Sequence, residues 1–227
     1  MQKRVFYAEL AYVIGITVLA LSAAMMEAAD FGVSMVVAPA YLIHLTLSPH
    51  NAFFTFGTCE YLFQAFLLLL LVCVLRRFKL YYLFSFVTAV IYGLLLDMFM
   101  GLVAHIPMDT FIARLAVYAA GVLLCAASVS LLFHTYVAPE VYELVVKELA
   151  ARHGWNINVV KTCFDCLSCA VAVVISFCVF GWLHFEGVKA GTIVVAFING
   201  WLIGRFSHLF EKLFVFRDAL PLRRYFE

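Results

Sequence analysis

The chain is 227 residues long; 66% of these residues are hydrophobic and only 13% are charged. Soluble domains are roughly 45–50% apolar and about 25% charged, so the composition excludes an ordinary soluble domain. The formal net charge of +1 gives no sign of a nucleic-acid partner. A mean hydropathy of +1.04 and apolar runs along the whole chain predict one polytopic membrane domain, 1–227, that ends in a cytoplasmic tail, 211–227.

The apolar runs are long enough to cross a membrane as helices. A spanning helix needs roughly 20 largely apolar residues. Backbone amides without partners are too costly in the hydrocarbon core for exposed loops to cross it, which favours a helical bundle. No small-residue cleavage site follows the first run, so we expect no signal peptide. The sequence predicts an all-α membrane protein with six transmembrane helices, at 5–29, 53–75, 79–102, 110–135, 157–183 and 188–210.

The tripeptide Val-Ala-Pro occurs at 37–39 and again at 137–139. After each copy come a short helix and then a Thr-Cys that begins a long helix. Three spans per half is an odd number, so the two halves must be inverted in the membrane, a construction shared by many transporters and channels. We therefore predict a 3+3 inverted repeat, about 5–102 and 110–210, with a short interfacial or re-entrant helix after the first span of each half.

The two short helices differ in polarity. In the second, Pro139 suits the first helical position, and Glu140 and Glu143 complement the positive helix start. Glu143 and Lys147 are four residues apart, as are Glu148 and Arg152. We expect this helix to lie at the cytoplasmic interface. The first short helix, 39–47, has almost no polar face, and whether it is re-entrant or packs under the bundle stays open.

The distribution of Lys and Arg predicts the orientation. With both termini in the cytoplasm, thirteen of the fifteen Lys and Arg residues fall on the inner side, and only Arg114 and Lys189 fall on the outer side. After the sixth span, the segment 205–216 is amphipathic and is expected at the membrane interface.

Four polar residues lie at matching places in the second helix of each predicted half. Lys161 and Asp165 are four residues apart at the start of helix 5, and Glu60 and Gln64 are four apart in helix 2. Polar residues inside membrane spans are costly and usually face a cavity or the bundle interior. Substrate binding or a proton relay explains them, and so does a salt bridge that only orients helix 5.

The other candidate residues lie at helix ends or beside glycines. Asp97 follows Gly93 by one turn in helix 3, and Asn199 precedes Gly200 in helix 6. Asp97 and Asn199 could reach the pseudo-two-fold axis, where inverted-repeat carriers usually hold ligand. The glycines also suit close packing of helices. Asp30 and Ser34 lie where helix 1 ends, as structural caps or as ligands in an unwound segment. The predicted substrate-binding residues are therefore Asp30, Ser34, Glu60, Gln64, Asp97, Lys161, Asp165 and Asn199.

Four stretches resemble the YczE/YyaS/YitT-type bacterial membrane proteins. They are "ADFGVSMVVAPAYLI", "YGLLLDMF", "YELVVKELAARHGWNINVVKTCFD" and "AGTIVVAFINGWLIGRF". Relatives of this type typically show Gly-x-Gly-Thr before the last helix, whereas here only Gly191-Thr192 is present and Lys189 stands where the first glycine would be. The resemblance implies a bacterial inner-membrane protein without implying a substrate.

The remaining motifs exclude several functions. Cys163, Cys166 and Cys169 lack the paired spacing of zinc sites, and the seven histidines contain no HExxH. We expect no metal, no cofactor and no enzyme activity, because no nucleophile–base pair and no nucleotide motif is present. The function favoured by the repeat and the embedded carboxylates is a transporter or permease for a small polar or amphipathic metabolite, with proton coupling through those carboxylates.

Alternatives stay open. The chain could be the substrate-binding subunit of an ATP-driven importer, or a non-catalytic accessory or scaffold protein. A channel is disfavoured because helices 1 and 4 are nearly all apolar between their ends. Besides membrane lipid and the unidentified metabolite, a homo-oligomer or a membrane partner protein remains open.

Overall fold

The computed structural model describes residues 4–181, 188–221 and 223. Within them the chain forms eight α-helices and two short β-strands. The strands are β1 (Arg4–Tyr7) and β2 (Phe214–Arg217). The helices are α1 (Ala8–Ala28), α2 (Ala38–Leu47), α3 (Phe56–Leu75), α4 (Tyr81–Val103), α5 (Phe111–Phe133), α6 (Val141–His153), α7 (Ile157–Phe180) and α8 (Ala190–Leu213).

Six of these helices, α1, α3, α4, α5, α7 and α8, are long and apolar enough to cross a membrane. They correspond to the six predicted spans, so the chain is a multi-pass membrane protein. Polar residues mark where three of them begin: the hydroxyls of Thr55 and Thr110 and the amide oxygen of Asn156 each accept a backbone N–H of the first turn. Helix α7 ends at Phe180. Of the last three residues predicted for the fifth span, 181–183, residues 182 and 183 lie outside the described part of the chain.

Helices α1 and α5 lie side by side at the centre of the bundle. Helix α4 packs against α1 and α3, and helix α8 packs against α5 and α7. The short helix α2 lies against α3 and α7, and the short helix α6 lies against α7, α3 and α4. Half of the most apolar stretch of α1 and of α5 is buried, a larger share than in the other four long helices. All six keep exposed apolar side chains that suit lipid.

The strands join the beginning and the end of the described chain. They pair in parallel, with Arg4 opposite Phe214 and Tyr7 opposite Arg217. Within the segment 205–216, predicted to lie at the membrane interface, the helix ends at Leu213 and the rest of the segment pairs as a strand. The end of the bundle that carries these strands is called the strand end below, and the other is called the far end.

Helix α6 begins deeper in the protein than its charges suggested. Its first four residues, 141–144, are all buried, whereas residues 151–154 are exposed, so it runs from the protein interior out to the strand end. Glu143 contacts Lys161 instead of Lys147, and Glu148 contacts Lys79 instead of Arg152. Both glutamates therefore form ion pairs with residues outside α6 and not the pairs expected along the helix.

Helix α2 shows the same gradient of burial. Its first residues, Ala38, Pro39 and Ala40, are buried, and the chain becomes exposed at Pro49 and His50 after the helix ends. Both short helices therefore begin in the interior of the bundle and run towards its surface.

Candidate functional site

Four carboxyl groups and one ammonium group are buried together in the middle of the bundle. Their residues are almost completely inaccessible, with exposed fractions of 0–2%. Gln64 and Asn199 are buried among them. We refer to this group as the central cluster; its members are Glu60, Gln64, Glu140, Glu143, Lys161, Asp165 and Asn199.

Lys161 joins two of the carboxylates. Its Nζ atom lies 3.2 Å from Oε1 of Glu143 on α6 and 3.1 Å from Oδ1 of Asp165, one turn along α7. Asn199 on α8 completes this half of the cluster by donating from Nδ2 to Oδ2 of Asp165 at 2.9 Å. The ion pair that was predicted along helix 5 therefore also links α6 and α8 to α7.

Gln64 joins the other two carboxyl groups. Its Nε2 donates to Oε2 of Glu140 at 2.9 Å and to Oε1 of Glu60 at 3.4 Å. Its Oε1 accepts the backbone N–H of Val141 at 2.9 Å, the first residue of α6. One amide thus satisfies a helix N-terminus and bridges two acids.

The cluster lies deep in the apolar spans. Gln64 and Asp165 each follow the start of their helix by eight residues, which corresponds to about 12 Å at 1.5 Å per residue. The hydrocarbon core of a bilayer is about 30 Å thick. The two residues therefore lie nearer the middle of their spans than the ends. The middle of a span is where an unpaired charge is most costly.

Hydroxyl groups satisfy the non-helical backbone that leads into the two short helices. Ser85 donates to the carbonyl of Pro139, and Thr88 donates to the carbonyl of Ala138 at 2.8 Å. On the other side of the bundle, Thr192 donates to the carbonyl of Val33 at 2.8 Å. Irregular backbone is tolerated at membrane depth only when it is buried in protein or lines a cavity, and these bonds meet that requirement.

A small cavity lies beside the cluster. Its volume of about 20 Å³ is enough for roughly one water-sized sphere. Apolar residues of α1 and α5 form part of its wall, and Val36 and Val37 before α2 form another part. The polar lining includes Ser34, Tyr92, Glu140, Tyr142, Glu143 and Asn199.

Asp30 lies outside the central cluster and closes the far end of the bundle. Its carboxylate pairs with Lys189 and, at 2.8 Å, with Nη2 of Arg114; Arg114 also donates from Nε to the carbonyl of Ala29 at 2.9 Å. These contacts connect the end of α1 to the starts of α5 and α8. Gly32, two residues on, adopts φ +113°, and a side chain there would collide with Thr192.

The ion pairs of Asp30 predict a pH dependence. The bond from Lys189, followed by the attraction of Arg114, lowers the pKa of Asp30 below its usual value. A carboxylate with a lowered folded-state pKa stabilises the fold above its unfolded pKa of about 4, and this contribution is lost as the pH falls through the folded value. We expect wild type to melt above Asp30→Asn at pH 7, and we expect this difference to shrink as the pH falls below about 4 and to vanish only below the lowered pKa of Asp30. Asp109→Asn, at another exposed carboxylate of the far end, controls for general acid effects.

Asp97 serves the start of α3 rather than the cavity. Its Oδ1 accepts the backbone N–H of Gly57 at 2.8 Å, and its Oδ2 accepts the hydroxyl of Thr55 at 2.8 Å. The carboxylate therefore stabilises the first turn of α3, a structural task that its spacing from Gly93 did not reveal.

Of the eight predicted binding residues, the structure brings five into the central cluster: Glu60, Gln64, Lys161, Asp165 and Asn199. It places Ser34 on the cavity wall, Asp30 at the far end of the bundle and Asp97 at the start of α3.

Glu140 and Glu143 are the acidic residues of the cluster that the sequence interpretation missed. Their spacing to later basic residues resembles a solvated helix face, which is why they were assigned to the interface. The signal that could have found them is the repeat itself. They follow the second Val-Ala-Pro, and the helix after the first Val-Ala-Pro is too apolar to lie in water.

The chemistry available to the cluster is binding and proton exchange. Carboxyl, amide and ammonium groups can hold polar or charged ligands, and carboxyl groups can take up and release protons. Among the described residues, no group of three or more His, Cys, Asp or Glu side chains is arranged to hold a metal ion.

Comparison with known proteins yields one family. No curated protein and no solved structure matches the chain. The match that is found does not connect the chain specifically to the YczE/YyaS/YitT type. It spans residues 6–208 and is to DUF6198, described as a family of unknown function, so the chain belongs to that family.

Proposed function

We propose that this protein is a secondary transporter of the inner membrane that carries a small polar or amphipathic molecule. The observation that carries the proposal is the central cluster, in which ionisable groups from α3, α6 and α7 meet beside a cavity at mid-membrane depth. Buried charge is expensive to maintain in a membrane, and a binding or translocation site is its usual reason.

The arrangement of helices supports an inverted repeat. The contact of α1 with α4 has a counterpart in the contact of α5 with α8, and the pairs α3–α4 and α7–α8 also correspond. Helix α2 packs on α7, and helix α6 packs on α3. Each short helix thus lies against a long helix of the other half, as expected for two interlocked units.

The hydroxyl contacts support the same symmetry. Ser85 on α4 bonds the backbone before α6, and Thr192 on α8 bonds the backbone after α1. In each case the third span of one half satisfies the broken segment of the other half. Discontinuous helices that meet at the repeat interface commonly form the substrate and coupling-ion sites of transporters.

Both termini are proposed to lie in the cytoplasm. The pairing of β1 with β2 brings the start and the end of the described chain to the same end of the bundle. The positive-inside distribution then assigns that end to the cytoplasm.

Proton coupling is proposed because the cluster has more acids than bases. Lys161 contacts Glu143 and Asp165, whereas Glu60 and Glu140 share only the neutral amide of Gln64. Glu140 is almost completely buried, and burial favours the uncharged form of a carboxyl group. A proton on one of these acids would remove charge from the interior and could be exchanged when the site opens.

A ligand screen tests the proposal. Purified protein in detergent would be heated with a broad panel of metabolites at two pH values, beside Asp165→Asn, Glu60→Gln and the control Glu148→Gln, whose residue pairs with Lys79 at the strand end. We expect a compound that raises the melting temperature of wild type and of the control but of neither cluster variant. Uptake of that compound into proteoliposomes would follow.

Compounds that stabilise all variants equally would contradict a substrate site at the cluster. A well-folded wild type with no stabilising compound would favour the accessory or scaffold role, and partner capture would then be the next experiment. Uptake that depends on a co-purified ATPase would favour the importer-subunit role.

A further inference from the structure

Four buried side-chain oxygen atoms of the cavity-lining residues have no hydrogen-bond partner. Three are acceptors, Oε1 of Glu140, Oε2 of Glu143 and Oδ1 of Asn199, and the fourth is the hydroxyl oxygen of Tyr142. Asn199 uses its Nδ2 on Asp165, so the atom left over is its acceptor. A buried polar atom without a partner costs free energy and calls for a specific explanation.

The carboxylate and amide oxygens can only accept, and the Tyr142 hydroxyl makes no hydrogen bond to any of them, so their missing partner must supply positive charge or donors. A single water molecule has two hydrogens and cannot donate to three acceptors at once. A cation satisfies several oxygens simultaneously, because coordination has no such limit. The unmet need of Glu140, Glu143 and Asn199 is therefore better matched by a cation than by water.

The charge of the lining favours the same occupant. Glu140 and Glu143 both lie on the cavity, and the one ammonium group there, Lys161, is shared between Glu143 and Asp165. The N-terminus of α6 offers only about half a positive charge. The buried group therefore keeps an excess of negative charge when its acids are ionised.

Size and ligand type define the class of ion. A cavity of about 20 Å³ admits one water-sized sphere and no metabolite. Carboxylate and carbonyl oxygens are ligands of hard cations. Only two carboxylates line the cavity, and one of them already contacts an ammonium, so a single positive charge suffices to balance them.

We infer that the cavity binds one monovalent, oxygen-coordinated cation of about the size of Na⁺, held by Glu140, Glu143 and Asn199. Binding of the ion stands on the cavity itself. Its role as the coupling ion, in place of the proton proposed above, rests on the proposed transport function, because the cavity is large enough for an ion while a substrate needs the bundle to open.

Direct binding of radioactive ²²Na⁺ tests the inference. Full-length protein would be purified in detergent at pH 8 with N-methyl-D-glucamine, a cation too large for the cavity, as the only other cation. We expect saturable binding approaching one Na⁺ per chain, displaced by unlabelled Na⁺. Glu140→Gln should weaken binding by about tenfold or more, whereas Glu148→Gln, on the same helix but away from the cavity, should bind as wild type does.

Asn199→Ala provides a second variant if Glu140→Gln does not fold, and it is also expected to weaken binding. A rise in melting temperature of about 3 °C when Na⁺ replaces N-methyl-D-glucamine provides a second measurement. Displacement by N-methyl-D-glucamine as effectively as by Na⁺ would show surface screening and overturn the inference. So would the absence of bound ²²Na⁺ on monodisperse wild type, which would indicate a proton as the ion.

The two proposals fail separately. Bound Na⁺ without any stabilising metabolite would leave the ion site standing and remove the support for a substrate. A metabolite that binds at the cluster with no bound Na⁺ would keep the transporter and overturn the cation site.

Discussion

Replacing Lys161 by methionine is expected to lower the free energy of unfolding by about 3–5 kcal/mol. Methionine keeps much of the length of the side chain but leaves Glu143 and Asp165 without the ammonium that lies 3.2 and 3.1 Å from them. Both carboxylates are buried, so water cannot replace the lost partner. Unfolding of the purified protein in mixed micelles, followed with increasing SDS, measures the change.

A matched control separates burial from charge. Lys79→Met removes an ion pair of similar length, 2.9 Å to Glu148, but the Lys79 side chain is 51% exposed. Exposed pairs contribute at most about 1 kcal/mol, so this variant should be close to wild type. Adding Glu143→Gln and Asp165→Asn to Lys161→Met should recover part of the loss. Equal effects of Lys161→Met and Lys79→Met would show that the central ion pairs are not the source of stability.

Gly57→Ala is expected to destabilise the protein by about 2–3 kcal/mol. Gly57 on α3 faces Gly93 on α4, and a Cβ at position 57 would overlap the carbonyl oxygen of Gly93 and the carboxylate of Asp97. A backbone carbonyl cannot rotate away as a side chain can, so the two helices must separate. The same denaturation experiment measures the effect.

Gly101→Ala is the control for this substitution. Gly101 lies on α4, the helix that carries Gly93, and a Cβ there would meet no atom within 4 Å. Alanine restricts the unfolded chain more than glycine and favours the helix, so this variant should gain about 0.5–1 kcal/mol. If both alanine variants are stabilised, close contact between α3 and α4 at Gly57 is refuted.

Much of the site could be predicted from residue spacing. Lys161 and Asp165 are four apart on one helix, and Glu60 and Gln64 are too, so each pair shares a face in any helical arrangement. Their polarity within apolar runs also predicts that they point inward. What spacing cannot predict is the third partner: Glu143 reaches Lys161 across 18 residues of chain and Glu140 reaches Gln64 across 76.

The sequence by itself determined the class of the protein, the six spans and the polar pairs along single helices, because hydropathy and helical period are local properties. Only the tertiary structure decided that α6 enters the bundle, that Asp97 supports the start of α3 and that Glu140 and Glu143 join the central cluster. The charge pairs along α6 are equally compatible with a helix at the membrane interface and with one that enters the bundle. Its burial depends on Gln64 and Lys161, whose position beside α6 is set by the packing of α3 and α7.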